Sequence, residues 1–369
     1  MQSRRSGRRA GLRFAGRCVA APLLAVLLVL LPAATPAVAA GQRIAILADP
    51  RIDEASGLAI GHRSPSVLYV HNDSGDRARF FAVDAGTGRT RAVCTVTGAR
   101  NIDWEDLATG PDSHGVASVW LADIGDNDSV RSEVDLYRVD EPVIGSAATI
   151  STGPAERWRL RYPDGPHDAE SLIADPVRHR LYLVTKSLLG HSQVFLVPAA
   201  PDAGRVQPMT QVATVTFGFT GTPGGPNVLG QLTATGASMS TSGSLLAIRT
   251  YTDAYLWPVV DGDVAGALRR APVRVPLPDE PQGEGIALGS GYLLVGSEGS
   301  GSAIYRLPLP DLGRAGAAVS RSVSGAAVAS GAITPSTNAG HRWVLRVVAF
   351  GAGPVFVLVI VGLVLQRQF

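Results

Sequence analysis

The sequence predicts an all-β fold, a five-bladed β-propeller, from three observations. One order of features recurs five times: a strand that opens with acidic or small residues, a short apolar strand, and a strand that carries one aromatic residue. The recurring aromatics are 56, 58, 62 and 48 residues apart, which suits a repeat that forms one four-stranded blade. Turns rich in Gly, Pro, Asp and Ser separate the strands. Because one small sheet cannot bury both of its faces, we expect the five units to pack radially around a channel.

Each predicted blade is assigned strand by strand from the same pattern. The opening strands begin at Glu54–Ala59, Asp103–Ala108, Asp168–Ile173, Ala234–Met239 and Gln282–Ala287. The second strands are Val67–Val70, Val119–Ala122, Leu181–Val184, Leu245–Ile248 and Tyr292–Val295. The third strands carry the aromatics, which we expect in the core: Phe81, Tyr137, Phe195, Trp257 and Tyr305. Fourth strands fit Arg91–Val96, Arg157–Tyr162, Gln211–Thr216 and Val273–Leu277.

The fifth unit has no evident fourth strand, whereas Arg43–Ala48 is a strand without a unit. We therefore expect this first strand to pair in the last blade and close the ring, which leaves few free strand edges. Six blades are the alternative, because the long connections Pro142–Ala155 and Phe217–Gly230 have room for further strands. An irregular β-sandwich is the other alternative.

The first forty residues have the features of a secretory signal. Six arginines precede the apolar run Ala20–Leu31, and the small residues Ala37–Ala40 follow it. An arginine pair, Arg8 and Arg9, leaves both general and twin-arginine export open. Residues 1–40 are therefore expected to direct the chain out of the cytoplasm, and whether the signal is cleaved stays open.

The carboxy-terminal part predicts a tether. Residues 313–342 are rich in Gly, Ala and Ser and are expected to form a flexible stalk. Residues 343–366 are expected to form a transmembrane helix, because Val347–Leu365 is an uncharged apolar run long enough to cross a bilayer. Residues 367–369 would form a cytoplasmic tail, and the propeller, residues 41–312, would lie outside the cell membrane on a single-pass anchor.

The charge of the predicted exposed region differs from that of the whole chain. The formal charge of the chain is +2, but residues 41–341 hold 24 basic and 31 acidic side chains, a net charge of −7. Residues 53–141 hold sixteen acidic and eight basic side chains. Nucleic acid is therefore excluded as an expected partner, and a cation is favoured. No nucleotide-binding loop, serine-esterase elbow or zinc-protease motif is present, so no nucleotide cofactor is expected.

Acidic residues recur at matched positions of the strand openings. Counting back three residues from the end of each opening gives Ser56, Glu105, Glu170, Gly236 and Glu284, and counting back five gives Glu54, Asp103, Asp168, Ala234 and Gln282. Residues two apart in a strand face the same way, so both sets point towards the channel or both point away from it. If they point inward, glutamates from four blades meet at one axis, where several negative charges need a cation or protons.

The loops after the second strands open on the same expected face. They contribute Asp73 and Asp123 in the first two blades and Lys186, Arg249 and Glu298 in the other three. Oxygen ligands without thiols suit Ca²⁺, with Mg²⁺ the second choice. The candidate metal ligands are Glu54, Glu105, Glu170, Glu284, Asp73 and Asp123. Ordinary solvated turns are the alternative interpretation of each loop taken alone.

A catalytic hypothesis uses some of the same residues. Glu105 and Glu170 are the candidate catalytic carboxylates, and His167 and His71 are candidate proton carriers beside them. Lys186 and Arg249 are the candidate residues for binding a substrate anion. Ordinary loop histidines and surface cations are the alternatives.

The Glu-x-[Leu/Ile]-Ala openings at Glu105 and Glu284, and the variant with Ser-Leu-Ile at Glu170, resemble those of secreted bacterial propellers of the phytase-like and gluconolactonase or paraoxonase type. This resemblance covers about residues 43–310 and implies a face on which Glu, Asp and Asn bind calcium, which polarises a lactone, ester or phosphate. The match departs in the fourth blade, where Gly236 stands in the glutamate position.

Two functions remain open from the sequence. The first is a membrane-tethered extracellular propeller that binds an unknown protein or small molecule, with a Ca²⁺ site on its acidic face. The alternative is a Ca²⁺-dependent hydrolase of lactones, esters or phosphoesters. The first is favoured because the residues do not form a complete catalytic set.

Overall fold

The structure, a computed structural model, describes residues 41–202 and 204–312, which form an all-β fold. The strands in chain order are β1 (Gln42–Ile46), β2 (Ala55–Ile60), β3 (Val67–Asn72), β4 (Arg79–Asp84), β5 (Thr90–Thr97), β6 (Trp104–Pro111), β7 (Ala117–Asp123), β8 (Val134–Asp140), β9 (Thr149–Pro154), β10 (Glu156–Arg161), β11 (Ala169–Asp175), β12 (Arg180–Thr185), β13 (His191–Leu196), β14 (Val206–Pro208), β15 (Thr210–Thr216), β16 (Ala234–Met239), β17 (Leu245–Thr250), β18 (Asp253–Pro258), β19 (Val273–Pro276), β20 (Gly283–Gly289), β21 (Tyr292–Ser297) and β22 (Ala303–Pro308). The described helices are one turn of 3₁₀ helix at Val228–Gln231 and the short helix α1 at Val264–Leu268.

The strands form five antiparallel meanders, so the predicted five-bladed propeller is confirmed. The sheet orders are β2-β3-β4-β5-β9, β14-β10-β8-β7-β6, β11-β12-β13-β15, β16-β17-β18-β19 and β1-β22-β21-β20. We number the blades one to five in this order. The first strand of each meander contacts the first strands of its neighbours, β2 with β6 and β20, and β16 with β11 and β20, as expected for strands around a channel.

Two strands were not predicted, and both join neighbouring blades. β9 lies in the long connection of blade two but pairs in parallel with β5 of blade one, through Val93 and Thr149 for example. β14 lies in the corresponding connection of blade three and pairs in parallel with β10 of blade two. The connection Pro142–Ala155 therefore adds an outer strand to an existing blade, and within the described residues neither a sixth blade nor a sandwich forms.

The ring closes as predicted. β1 pairs antiparallel with β22, with Arg43 opposite Tyr305 and Ala45 opposite Ile304. Beyond the strand, the Leu47 amide donates a hydrogen bond to the Ser302 carbonyl at 2.9 Å. The first and last strands of the propeller thus share one sheet, and β1 covers the edge that β22 would expose.

The recurring aromatics lie where the core was expected. Phe81, Tyr137, Phe195 and Trp257 are buried, and Tyr305 packs half-buried against the core cluster of blade five. Each belongs to one of the hydrophobic clusters in which these stacked sheets bury their apolar faces.

The expectations for the signal (1–40), the stalk (313–342), the transmembrane helix (343–366) and the tail (367–369) lie outside the described residues. Among the residues that are described, no helix has the length and apolar character that a membrane crossing requires.

Candidate functional site

The first strand of every blade has an irregular register near its start. The pairing with the second strand skips between Ala55 and Leu58, Trp104 and Asp106, Ala169 and Ser171, Ala234 and Gly236, and Gly283 and Ile286. A bulge leaves a residue unpaired and re-aims its side chain. The first residue in each skip is, in blade order, Ser56, Glu105, Glu170, Thr235 and Glu284.

This register changes the alignment of blade four. Counting along the sequence placed Gly236 at the glutamate position, but Gly236 pairs opposite Arg249 and the residue left out of the ladder is Thr235. The Thr235 hydroxyl donates a hydrogen bond to the Gly283 carbonyl at 3.0 Å, and the Ser56 hydroxyl of blade one donates to the Glu105 carbonyl. Blades one and four therefore use this position to join adjacent blades, and blades two, three and five present a carboxylate.

The structure brings five of these channel carboxylates into two overlapping groups. Asp73, Asp103 and Glu105 form one, and Glu105, Asp168 and Glu170 form the other, with the candidate ligand oxygens of each group within 4.8 Å of one another. Glu105 belongs to both groups. Asp103 and Asp168 precede their glutamates by two residues, as the alternation predicted. We call the set Asp73, Asp103, Glu105, Asp168 and Glu170 the carboxylate cluster.

Burial makes ionisation of this cluster costly. It raises the pKa of Glu105 and of Glu170 well above the ordinary glutamate value, and the negative charge of Glu170 raises that of Glu105 further. Burial, followed by the charges of Asp73 and Asp168, raises the pKa of Asp103 to about 6. Burial also raises the pKa of Asp73. At neutral pH the cluster is therefore stable only with bound protons or with cations nearby.

One lysine lies within the cluster. The Lys186 ammonium contacts Oε1 of Glu170 and lies 4.0 Å from Oδ2 of Asp168. Its position is set by the start of the loop after β12, where the Lys186 amide donates to the Asp168 carbonyl at 2.9 Å. Burial disfavours the charged ammonium, but the charge and hydrogen bond of Glu170, together with Tyr251 and Asp168, outweigh it and raise the pKa of Lys186 above its ordinary value. Lys186 is therefore a charged partner of Glu170.

Glu284 continues the acidic surface towards blade five. Burial and the neighbouring Glu298 raise the pKa of Glu284 well above its usual value. Oε1 of Glu284 accepts from the Tyr251 hydroxyl and from Nε2 of Gln282, each at 3.4 Å, and Gln282 also donates to Glu298 at 2.5 Å. Tyr251 directly follows β17, at the position that Asp73, Lys186 and Glu298 occupy in their blades. It was missed because the sequence pointed to the charged Arg249 in this blade.

Of the buried carboxylate oxygens that have no hydrogen-bond partner among the described residues, two lie at the channel: Oε2 of Glu170 and Oε2 of Glu284. Both side chains are about 97% buried. A buried acceptor left unpaired costs about 1–3 kcal/mol, and more when it is charged. These oxygens are therefore available to a ligand that supplies positive charge or a donor.

Gly125 leaves room at the other end of the cluster. It lies in the loop after β7, and a Cβ at this position would overlap Oε1 of Glu105 and Oδ2 of Asp103. Only a residue without a side chain lets the loop pass this close to the two carboxylates. The same loop positions Asp168, whose Oδ1 accepts the Asp126 amide at 2.9 Å.

Two predicted metal ligands lie beside the cluster. Asp123 is fully buried, forms an ion pair with Arg131 at 2.9 Å, and accepts the amides of Ile102 and Asp103 at 3.2 Å. It therefore supports the backbone that carries Asp103. Glu54 is exposed, and its carbonyl accepts the Asp73 amide at 2.9 Å.

Arg249, a candidate for substrate binding, is fully buried with all five N–H groups used. Nε donates to the Thr250 carbonyl, one terminal nitrogen donates to Gly285 and Gly296, and the other donates to Tyr251 and to the carboxylate of Glu280 at 2.9 Å. A guanidinium has five donors, so none is left for a ligand. Arg249 thus connects blades four and five.

The two candidate histidines differ in their surroundings. His71 is fully buried, with Nδ1 2.9 Å from the Asn72 carbonyl and its ring edge-on to Trp104. Burial lowers the pKa of His71 to about 4, so the ring is neutral at physiological pH. Nε2 of His167 lies 2.8 Å from Asp164, at a partly exposed position.

Some solved structures are similar in shape to this chain. Neither a protein-family model nor a curated protein matches the chain. Its shape is similar to that of the PQQ-bound aldose sugar dehydrogenase from Streptomyces coelicolor, with 14% identity over 74% of this chain and 99% of that chain and a TM-score of 0.41. The soluble aldose sugar dehydrogenase from Escherichia coli matches with 12% identity over 73% and 99%, TM-score 0.37. A β-propeller domain from Myceliophteria thermophila matches with 12% identity over 69% of this chain and 84% of that chain, with a TM-score of 0.32.

At these values the likeness concerns the fold alone and carries no argument about chemistry. The phytase-like and lactonase resemblance stays a prediction.

Proposed function

We propose that this chain is a membrane-tethered extracellular binding module whose carboxylate cluster holds a divalent cation, Ca²⁺ in preference to Mg²⁺. The ion would join neighbouring blades at the channel mouth, and its remaining coordination positions would receive oxygen atoms of an extracellular ligand. Export and tethering rest on the sequence features of residues 1–40 and 343–366. The chemistry rests on the cluster.

The observation that carries the proposal is the convergence of five carboxylates with one lysine at a buried site. Two groups of three oxygens, each within 4.8 Å, share Glu105. Burial and mutual repulsion raise the pKa values of Glu105 and Asp103, so a cation that neutralises them removes an energetic cost. The unpaired Oε2 of Glu170 supports the same conclusion.

The donor set favours calcium. All candidate ligand atoms of the cluster are carboxylate oxygens. Ca²⁺ and Mg²⁺ prefer oxygen ligands, whereas thiolates and imidazoles suit Zn²⁺. Cys94, the single cysteine of the described residues, is buried in the core of blade one. Mg²⁺ requires near-ideal octahedral geometry, whereas Ca²⁺ accepts an irregular set of oxygens from several blades.

Thermal unfolding tests this proposal. A specifically bound ion at about 100 times its Kd stabilises the native state by about 2.7 kcal/mol. We therefore expect millimolar Ca²⁺ to raise the Tm of the full chain by about 5 °C or more over the value in EDTA. The Glu105→Gln variant, which removes the carboxylate shared by both groups, is expected to lose this shift.

The matched control is Glu133→Gln, because Glu133 pairs with Arg159 on the outer surface. This variant should keep the full calcium shift. A Tm that is equal in Ca²⁺ and EDTA, or a shift that Glu105→Gln leaves intact, would exclude the cluster as the ion site.

A hydrolase is the second candidate, favoured by the pKa of Asp103, which at about 6 lies close to neutral pH. A carboxyl group of this kind, beside the buried Glu105, serves as a general acid or base. Bound calcium would polarise the substrate carbonyl or phosphoryl group. Turnover of lactones, aryl esters or phosphomonoesters that depends on Ca²⁺ and disappears in Asp103→Asn would establish this activity. Absence of turnover alongside a calcium shift would leave the binding module.

A further inference from the structure

We propose that the Lys186 ammonium serves as a built-in cation of the channel, beside one bound divalent ion. The ammonium occupies the group formed by Glu105, Asp168 and Glu170, so the channel takes one divalent ion, between Asp73, Asp103 and Glu105. This inference rests on the proposed function, because it assigns the position and the number of the ions bound there.

Lys186 is unusual in the composition of the chain. The chain has 32 arginines and a single lysine, Lys186. Lysine carries a compact charge with three donors that rotate freely, whereas the arginine guanidinium is a planar fork. A site enclosed by carboxylates from several directions suits the compact group. The single lysine therefore lies at a site that suits a compact ammonium better than a planar guanidinium.

Lys186 contacts the carboxylates of only one of the two groups. Its ammonium contacts Oε1 of Glu170 and lies 4.0 Å from Asp168, and both acids belong to the second group. A metal ion there would have to share these oxygens with an ammonium in direct contact with them. Like charges at this separation repel strongly in a buried site, so the second group is closed to a divalent ion.

The first group has no such cation. Within the described ranges, no lysine, arginine or histidine forms an ion pair with Asp73, Asp103 or Glu105. Arg131, which influences Asp103, forms its ion pair with Asp123. The first group is therefore the one in which bound protons or an external cation must balance the negative charge.

Glu170 shows that the second group would bind an ion if the lysine were removed. It is about 97% buried and its Oε2 has no described hydrogen-bond partner, although Oε1 contacts the ammonium. Without Lys186, one oxygen from each of Glu105, Asp168 and Glu170 would lie within 4.8 Å of the others with no positive charge in contact. Such a set requires a cation, and it has the ligands to hold one.

Calcium titration of the full chain by isothermal calorimetry tests the inference. We expect one Ca²⁺ per chain for the natural protein and two for Lys186→Met, which keeps an unbranched side chain without the charge. Gly125→Ala should abolish the first site, because the Cβ would overlap Glu105 and Asp103. The double variant Gly125→Ala with Lys186→Met is then expected to bind one ion. Arg159→Met, which removes a cation from the outer surface, should still bind one.

The outcomes separate the two proposals. One ion for the natural protein and one for Lys186→Met would overturn the role of Lys186 and keep the proposed function. No ion for the natural protein but one for Lys186→Met would overturn the proposed function and the single natural site, while keeping Lys186 as the cation that closes the second group. Two ions for the natural protein would overturn the inference directly.

The stability of variants that lack the Lys186 ammonium also tests the inference. Without the ammonium the second group lacks a counter-ion, so Lys186→Met and Lys186→Gln are expected to melt lower than the natural protein in EDTA. Calcium should raise the Tm of both by more than it raises that of the natural protein. Variants that remain unfolded in calcium, or that gain no more than the natural protein, would overturn the inference.

Discussion

At the scale of single residues, Asp106 has a structural role that differs from that of the cluster carboxylates beside it. It follows Glu105 directly and is 1% exposed. Its Oδ1 accepts the Leu107 amide at 2.8 Å, and its Oδ2 accepts the amides of Leu172 at 2.8 Å and Ala237 at 3.2 Å. One carboxylate therefore holds strands of blades two, three and four together at the channel wall. Burial raises the pKa of Asp106 well above its usual value even though these amides lower it.

Replacing this carboxylate should cost much of the stability. Asp106→Ala leaves three buried amides unpaired at about 1–3 kcal/mol each, so we expect a loss of at least about 3 kcal/mol in the free energy of unfolding. Urea denaturation monitored by tryptophan fluorescence measures this loss. Asp140→Ala, which removes an exposed partner of Arg138, should cost less than about 1 kcal/mol. Equal losses for the two variants would mean that Asp106 does not join the blades.

At the scale of elements, the propeller is held together by strands that leave their own blade. β1 completes blade five from the start of the chain, β9 adds to blade one, and β14 adds to blade two. The first was predictable because its apolar pattern matched a missing strand. β9 and β14 were not, because they are outermost strands without a fully buried residue and their parallel partners are far away in sequence. Such strands have no alternating hydrophobic pattern to reveal them.

The closure by β1 has a matched test in two adjacent residues. Leu47 is 1% exposed and packs in the cluster shared by blades one and five, whereas Ile46 is 42% exposed. Leu47→Ala should reduce the free energy of unfolding by about 2–5 kcal/mol. Ile46→Ala should cost less than about 1 kcal/mol. Denaturant midpoints compare the pair, and a Leu47→Ala loss as small as that of Ile46→Ala would show that the closing segment is detached in solution.

At the scale of the whole molecule, the ring brings together residues that are far apart in sequence. Blades five and one meet where Gly285 of β20 approaches Leu58 of β2. The carboxylates of blades two and three meet at the channel only because the five sheets are arranged in a circle. Asp73, Asp103 and Glu105 thus meet Asp168 and Glu170 around one axis, where a cation is the physical counterpart.

A methyl group placed at the blade five to blade one contact should weaken the ring. A Cβ at Gly285 would lie 2.7 Å from Cβ of Leu58, so the two inner strands must move apart. We expect Gly285→Ala to cost about 1–3 kcal/mol, seen as a Tm lowered by several degrees. Gly145→Ala is the control, because a Cβ there meets no atom within 4 Å. A Tm for Gly285→Ala equal to that of the control would show that blades five and one are not tightly packed.

The sequence by itself predicted the repeat, the closing strand and the core aromatics, and it favoured five blades over six. These follow from patterns within each unit, which local side-chain alternation and turn residues encode. It also identified Glu105, Glu170 and Glu284 as matched positions, because each opens a first strand in the same way.

Only the tertiary structure decided which residues meet. The bulge in β16 moved the matched position from Gly236 to Thr235, and one residue of register changes the direction of a side chain. Arg249 was expected near the ligand, but its five donors are used between blades four and five. The contact of Lys186 with Glu170 depends on the path of a loop and on burial. Such pairings depend on distances across the ring, which no pattern within a single repeat records.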